Sequence, residues 1–187
     1  MRVGIFGGTF NPIHNGHLLL AETARDQLSL DRVVFIPTNH PPHKRAGELL
    51  AGATRLALIR AAIHDQTAFT VSDVELERGG VSYSIDTVKI LHERLPSATL
   101  FLLIGQDMLS VRWLKWKELK RLCTVVAAHR PTSGRTRREP NLKWLDMPQV
   151  DIASSDIRQR LRKGRSIRYL VPPAVERYLH HHGLYRR

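Results

Sequence analysis

His14 and His17 stand three residues apart, with Gly16 directly before the second. In the first turn of a helix that spacing brings two imidazoles to one side. Each ring keeps an N–H to donate whether it is neutral or charged. Upstream, Gly7 and Gly8 permit backbone angles and close approaches that a side chain would block, while Pro12 sets a bend and removes a donor. Such a set can grip anionic oxygen, phosphate above all. Zinc is a competing reading, but no cysteine or third histidine stands near enough in the sequence to complete a site. A dinucleotide-binding turn is another, but the G-x-G-x-x-G spacing is absent. Plain surface histidines would leave two glycines and a proline in one turn unexplained.

An apolar run, Val3 to Phe6, predicts a buried strand before this stretch, and Leu18 to Leu28 predicts a helix after it. Gly7 to His17 is then a strand-to-helix turn. The helix N-terminus adds free N–H groups and the positive end of a dipole. Apolar runs and helical patterns alternate through the rest of the chain. Strands are expected at Val33 to Ile36, Phe69 to Leu76, Thr99 to Ile104, Thr124 to Ala128 and Val150 to Ala153, with Thr99 to Ile104, the most apolar, at the centre. A helix is expected over Leu49 to Ile63, with Leu56, Ile59 and Ile63 on one face and Thr54 as its cap. Another opens at Ser82, carries Ile85, Val88, Leu91 and Leu95 on one face, and is capped by Ser84 or Asp86. Further helices are expected over Leu109 to Leu122 and over Pro172 to His182, the last with Pro near its start and Gly183 past its end. The alternation predicts a doubly wound α/β fold with a mostly parallel, Rossmann-like sheet. At 187 residues, one domain spanning 1–187 is expected.

Bulk composition narrows the class. Hydrophobic residues make up 42%, enough for a globular core, and no apolar run reaches the length of a membrane span. No secretory leader opens the sequence, and a single cysteine, Cys123, allows no internal disulfide, so a reducing cytoplasm is expected. Cys123 lies in an apolar run and reads as buried and inert. The formal net charge of +12 attracts anions, whether nucleotides or nucleic acid, and alone does not choose between them.

Other candidate residues sit at strand ends and helix starts, where open α/β sheets place ligands. Lys44 lies in the proline-stiffened loop Asn39-His40-Pro41-Pro42-His43-Lys44, placed to meet an anion, but from the loop alone a plain surface lysine is the favoured reading. Gly105-Gln106-Asp107 follows the most apolar strand; the carboxylate could bind ribose hydroxyls or cap a helix. Trp113 and Trp116 share a helical face, for which core packing is the default. Ala153-Ser154-Ser155-Asp156-Ile157-Arg158 opens a helix with hydroxyls and an arginine, fit for a phosphate or for simple capping.

The first turn resembles the signature of the HxGH nucleotidylyltransferase superfamily, and the longer match GIFGGTFNPIHNGHLLLAE, Gly4 to Glu22, resembles the bacterial nicotinate mononucleotide adenylyltransferases. Asn11 stands where that family usually has Asp. The loop NHPPHK resembles its lysine-bearing phosphate loop. SYSIDT resembles its S-Y-T-I-D-T motif, with Ser84 for Thr, and SSDIR resembles I-S-S-T-x-I-R, with Ala153 for the first Ser and Ser155 for Thr. The family's W-x-x-W is present, two residues closer to Asp107 than usual, and Thr132 replaces the Gly of its R-P-G.

The resemblance covers nearly the whole chain and implies a reaction: ATP plus nicotinate mononucleotide giving nicotinate adenine dinucleotide and pyrophosphate, with Mg2+ arriving on ATP. It implies catalytic roles for His14, His17, Lys44 and Arg158. ATP would be held by Gly7, Gly8, Thr9, Phe10, Gly16, Gly105, Asp107, Ser154 and Ser155, with Arg130 stacking on adenine. The mononucleotide would be held by Tyr83, Ser84, Thr87 and Trp113, the last stacking on the pyridine ring. No metal site built by the protein, no nucleic acid and no membrane are implied. The alternatives keep the fold and change the acceptor to nicotinamide mononucleotide or phosphopantetheine, or make the chain a basic nucleic-acid-binding module. SYSIDT and W-x-x-W argue against phosphopantetheine.

Overall fold

A computed structural model describes residues 1–42, 49–128, 142–148 and 150–186. Among the described residues, β1 (Arg2–Gly8), β2 (Arg32–Pro37), β3 (Phe69–Val71), β4 (Thr99–Gly105), β5 (Thr124–Ala128) and β6 (Lys143–Leu145) form one sheet in the order β3-β2-β1-β4-β5-β6. Every pairing is parallel. The helices are α1 (Asn15–Gln27), α2 (Gly52–Ala62), α3 (Val74–Arg78), α4 (Ser84–Arg94), α5 (Trp116–Leu122), α6 (Ser154–Arg162) and α7 (Pro173–His181).

The strands are near-continuous apolar runs because both faces of the sheet are covered. Alternate residues feed two cores. Phe6, Val33, Phe35, Phe101, Leu103 and Val126 point to one, with α1, α2, α6 and α7. Val3, Ile5, Val34, Ile36, Leu100, Leu102 and Val125 point to the other, with α4 and α5. β4 lies beside β1 at the centre, as its apolar composition predicts. The chain runs outward from β1 through β2 to β3, then returns to the far side of β1 at β4. That reversal parts the loops after β1 and β4 and leaves a crevice at the carboxyl ends of the two strands.

Four elements differ from the sequence expectation. The strand expected over 69–76 stops at Val71, because Ser72 and Asp73 turn the chain into α3; the Ser72 hydroxyl accepts from Val74 N–H and Asp73 O accepts from Glu77 N–H. The helix expected from Leu49 starts at Gly52 with Ala51 as N-cap, so Thr54 lies inside it. The helix expected over 109–122 is broken. Gln106–Ser110 is a 3-10 turn, Lys115 adopts left-handed φ 51°, and α5 begins only at Trp116. Val150 to Ala153 is not a strand, since the place beside β5 is taken by β6; this segment runs on to become the lead-in to α6.

Two side chains hold the crevice floor. Phe35 is fully buried, with ring centroids 5.4 Å from Phe6, 5.8 Å from Phe10 and 5.4 Å from Phe69. Arg55, 1% exposed, donates from Nη1 to Thr9 O (3.1 Å) and Thr38 O (2.7 Å), and from Nε to Leu50 O (2.9 Å). It thereby ties the loops after β1 and β2 to the entry of α2. Desolvation pulls its pKa below the ordinary arginine value, opposed by nearby Tyr185 and Glu75.

Phe35→Ala should cost about 3–5 kcal/mol, the usual range for emptying a buried aromatic site, read from chemical denaturation of the folded protein. Arg55→Met should cost about 3 kcal/mol by stranding carbonyls of two loops, and Arg55→Lys should recover part of it. An Arg55→Met protein as stable as wild type would show that water satisfies those carbonyls equally well.

Candidate active site

β1 ends at Gly8, and Phe10, at φ 45°, turns its ring into the core at 1% exposure. The chain then reaches His14, the N-cap of α1. The His14 backbone N–H donates to His17 Nδ1 at 3.2 Å. A backbone N–H can donate only to an unprotonated ring nitrogen, so Nδ1 is the acceptor and the His17 proton sits on Nε2. The two rings stack at 3.6 Å and 28°, and Phe10 meets His17 edge-on at 5.0 Å. His14 is 2% exposed and His17 half-buried. A Cβ on Gly16 would stand 3.2 Å from the His14 ring, so glycine keeps the pair stacked, whereas a Cβ on Gly7 would meet nothing within 4 Å and the space above it is open. The α1 terminus offers fewer donors than its sequence suggests: Asn15 N–H goes to Leu170 O and His17 N–H to His14 O.

The loop after β4 faces this turn. A Cβ on Gly105 would lie 2.5 Å from Asp107 Oδ1, so the exposed carboxylate sits directly over the backbone there. Asp107 is exposed, in the 3-10 turn. Trp113 is half-buried, its Nε1 donating to Met108 O at 2.8 Å and its ring 5.2 Å from Trp116. The tryptophans meet although Trp113 lies ahead of α5, so the helical face inferred from their spacing is not what joins them.

A third wall comes from two loops joined together. Asn39 N–H donates to Ser82 Oγ (2.8 Å), Ser82 N–H donates to His40 O (2.9 Å), and Asn39 Nδ2 reaches Gly80 O (3.0 Å). Tyr83 then caps α4 through its backbone and Ser84 begins it, so neither Ser84 nor Asp86 is the cap. The start of α6 closes the ring. Ser154 Oγ donates to Pro12 O and Arg158 Nη1 to Asn11 O, both at 2.9 Å.

These walls enclose a cavity of about 970 Å³. Gly7, Gly8, Thr9, His14, Gly16, His17, Tyr83, Ser84, Gly105, Asp107, Trp113, Ser154, Ser155 and Arg158 all line it. Two expected ligand contacts do not. Phe10 is packed beneath the turn. Thr87 is 2% exposed and donates its hydroxyl to Glu75 Oε1 at 2.5 Å, behind the start of α4. Lys44 and Arg130 lie outside the described residues. Sequence reasoning missed Arg55 and Glu75, which line the cavity while almost fully buried. Arg55 had a signal: it shares the apolar stripe with Leu58, Ile59 and Ala62 at helical spacing, where a charge needs a reason. Among the described residues, no group of three or more His, Cys, Asp or Glu side chains could hold a metal ion. No described helix is long and apolar enough to cross a membrane.

Known proteins share both fold and sequence with this chain. The cytidylyltransferase-like family model matches residues 5–160. A protein of Shouchella clausii, named "Probable nicotinate-nucleotide adenylyltransferase", is 44% identical over 98% of this chain and 96% of its own. A protein of Citrifermentans bemidjiense with the same name is 43% identical over 99% of this chain and 98% of its own. The solved structure of Plasmodium falciparum nicotinic acid mononucleotide adenylyltransferase, complexed with NaAD, superposes with a TM-score of 0.81 at 18% identity, covering 98% of this chain and 97% of that one. With its parallel sheet, its stacked histidine turn and relatives matching end to end, the chain belongs to the nicotinate-nucleotide adenylyltransferases of the cytidylyltransferase-like family.

Proposed function

We propose that this protein transfers the adenylyl group of ATP to nicotinate mononucleotide, releasing pyrophosphate and nicotinate adenine dinucleotide. The observation that carries the reading is the meeting of the stacked His14–His17 pair with the starts of α1, α4 and α6 in one cavity. Such starts favour anions, and the substrates between them carry several phosphates and a carboxylate.

A phosphate oxygen of the mononucleotide attacks the α-phosphorus of ATP, a new P–O bond forms, and the bond to the pyrophosphate oxygen breaks. The attacking oxygen is already anionic at neutral pH, so no base has to remove a proton. The work left for the protein is to align two repelling anions and to stabilise charge on the transferring and leaving groups. His17 Nε2–H and His14 act on the transferring phosphoryl group, and Arg158 and Lys44 on the polyphosphate. Gly7, Gly8, Thr9 and Gly16 let the nucleotide lie close to the turn, and Ser154 and Ser155 add hydroxyls. Asp107 takes the adenosine ribose and Arg130 the adenine. Tyr83 and Ser84, at the start of α4, take the nicotinate carboxylate, and Trp113 stacks on the pyridine. Phe10 and Thr87 serve from behind, by packing and through Glu75. Mg2+ enters with ATP as part of the substrate, the usual way that ion accompanies a triphosphate.

The 187 residues act as one catalytic unit. A cytoplasmic site of action suits the lone thiol of Cys123, which desolvation pushes up to about 12 and so keeps protonated.

Pyrophosphate release from ATP should appear with nicotinate mononucleotide and be several-fold less efficient with the amide; equal efficiency would remove the carboxylate role of α4, and no release with either would end the reading. His17→Ala should fold normally and lose roughly 10²–10³ in kcat, with KM for each substrate changed far less. His17→Asn, which keeps an N–H, should recover part. Wild-type turnover in His17→Ala would make the stacked pair structural.

A further inference from the structure

After α7, Gly183 and Tyr185 take left-handed φ of 59° and 62° and turn the chain back toward the β1–α1 turn. The Tyr185 hydroxyl donates to Asn11 Oδ1 at 2.5 Å, across 174 residues of sequence. The same oxygen accepts Leu50 N–H at 3.1 Å. Asn11 is 6% exposed, and its backbone carbonyl is the acceptor for Arg158 Nη1. Among the described residues that bond to Asn11 O is the one hydrogen bond of Arg158 to protein, and its Nε is buried without a hydrogen-bond partner. The direction in which its guanidinium faces the cavity therefore follows the orientation of the Asn11 peptide. That peptide is fixed from the side-chain end by Tyr185 and Leu50.

We propose that Tyr185 is a positioning residue for adenylyl transfer: by donating to Asn11 Oδ1 it sets the Asn11 carbonyl that aims Arg158 into the cavity. The proposal rests on the reading that Arg158 acts on the polyphosphate. Tyr185 itself does not line the cavity. An Asn at position 11 is sufficient for this, because an amide oxygen accepts two hydrogen bonds as a carboxylate oxygen does. The donors from Tyr185 and Leu50, a phenol and a backbone N–H, are both neutral.

The test is steady-state pyrophosphate release by the full chain. Tyr185→Phe should lower kcat roughly tenfold, the scale of a small misplacement of a reacting group, with both KM values within about threefold. Asn11→Ala should copy this, and Asn11→Asp, which keeps the acceptor, should retain most of the turnover. In an Arg158→Ala background, adding Tyr185→Phe should cost nothing further, since residues acting as one unit are not additive. A further tenfold loss there would overturn the proposal, as would wild-type kcat in Tyr185→Phe. Lower thermal stability with unchanged kcat per folded molecule would reduce Tyr185 to a structural anchor and overturn it as well. Should Tyr185→Phe fold poorly, equal turnover in Asn11→Ala and Asn11→Asp overturns the proposal in its place. A wild-type chain that releases no pyrophosphate from ATP and either mononucleotide sinks the reading of the reaction and this proposal with it. With an active wild type, the variants bear on the role of Tyr185 alone.

Discussion

The turn between β1 and α1 belongs to no ladder, yet its carbonyls are mostly buried and must be satisfied from elsewhere. Thr9 O takes Arg55, Asn11 O takes Arg158 and Pro12 O takes Ser154. The donors come from two helices far apart in the chain, Arg55 from α2 and Ser154 and Arg158 from α6, and each helix is seated on the sheet by its own apolar stripe. The sheet order matters for this reason. By reversing at β1 and β4 it leaves the turn over an open crevice and brings α2 and α6 close enough to reach it. The stacked imidazoles are the visible part of an arrangement whose support lies underneath, in three hydrogen bonds to main-chain oxygen.

Support and chemistry are drawn from different residue types. The cavity wall around the histidine pair includes glycines, imidazoles, a tryptophan and hydroxyls. Beneath them lie large buried side chains, Phe10 and Phe35, and Arg55, buried at the cavity's edge. Phe10 belongs to the second set although it stands in the middle of the motif. Its ring packs edge-on against His17 and under Gly8, where a Cβ would come within 3.0 Å of it. Phe10 thus sits in the middle of the histidine-bearing turn and shapes it from below.

Much of the architecture is legible in the sequence because its signals are local. Alternating apolar runs mark β1, β2, β4 and β5, and the glycine–histidine turn announces itself by spacing. What is not legible depends on neighbours far away in sequence. Nothing within Val150 to Ala153 says that Lys143–Leu145 already occupies the sheet edge. The tryptophan pair carries a correct adjacency for the wrong reason, since helical spacing cannot reveal that Lys115 breaks the helix between them. The motif around Thr87 assigns it to ligand, and only the fold shows Glu75 claiming its hydroxyl. Tyr185 carries no signal at all, because a tyrosine near a helix end looks the same whether or not residue 11 lies beneath it.

The anchors of the β1–α1 turn come from residues 50, 55, 154, 158, 170 and 185. Contacts so distant along the chain close large loops, and their entropy must be met before they return any stabilisation. The turn is thus expected to order late in folding, after the sheet and helices that supply its donors. A chain arrested with native-like strands but an undocked α7 would still carry its histidines, with Asn11 lacking one of its donors. The last stage of folding is therefore expected to coincide with the assembly of the cavity around the histidine turn.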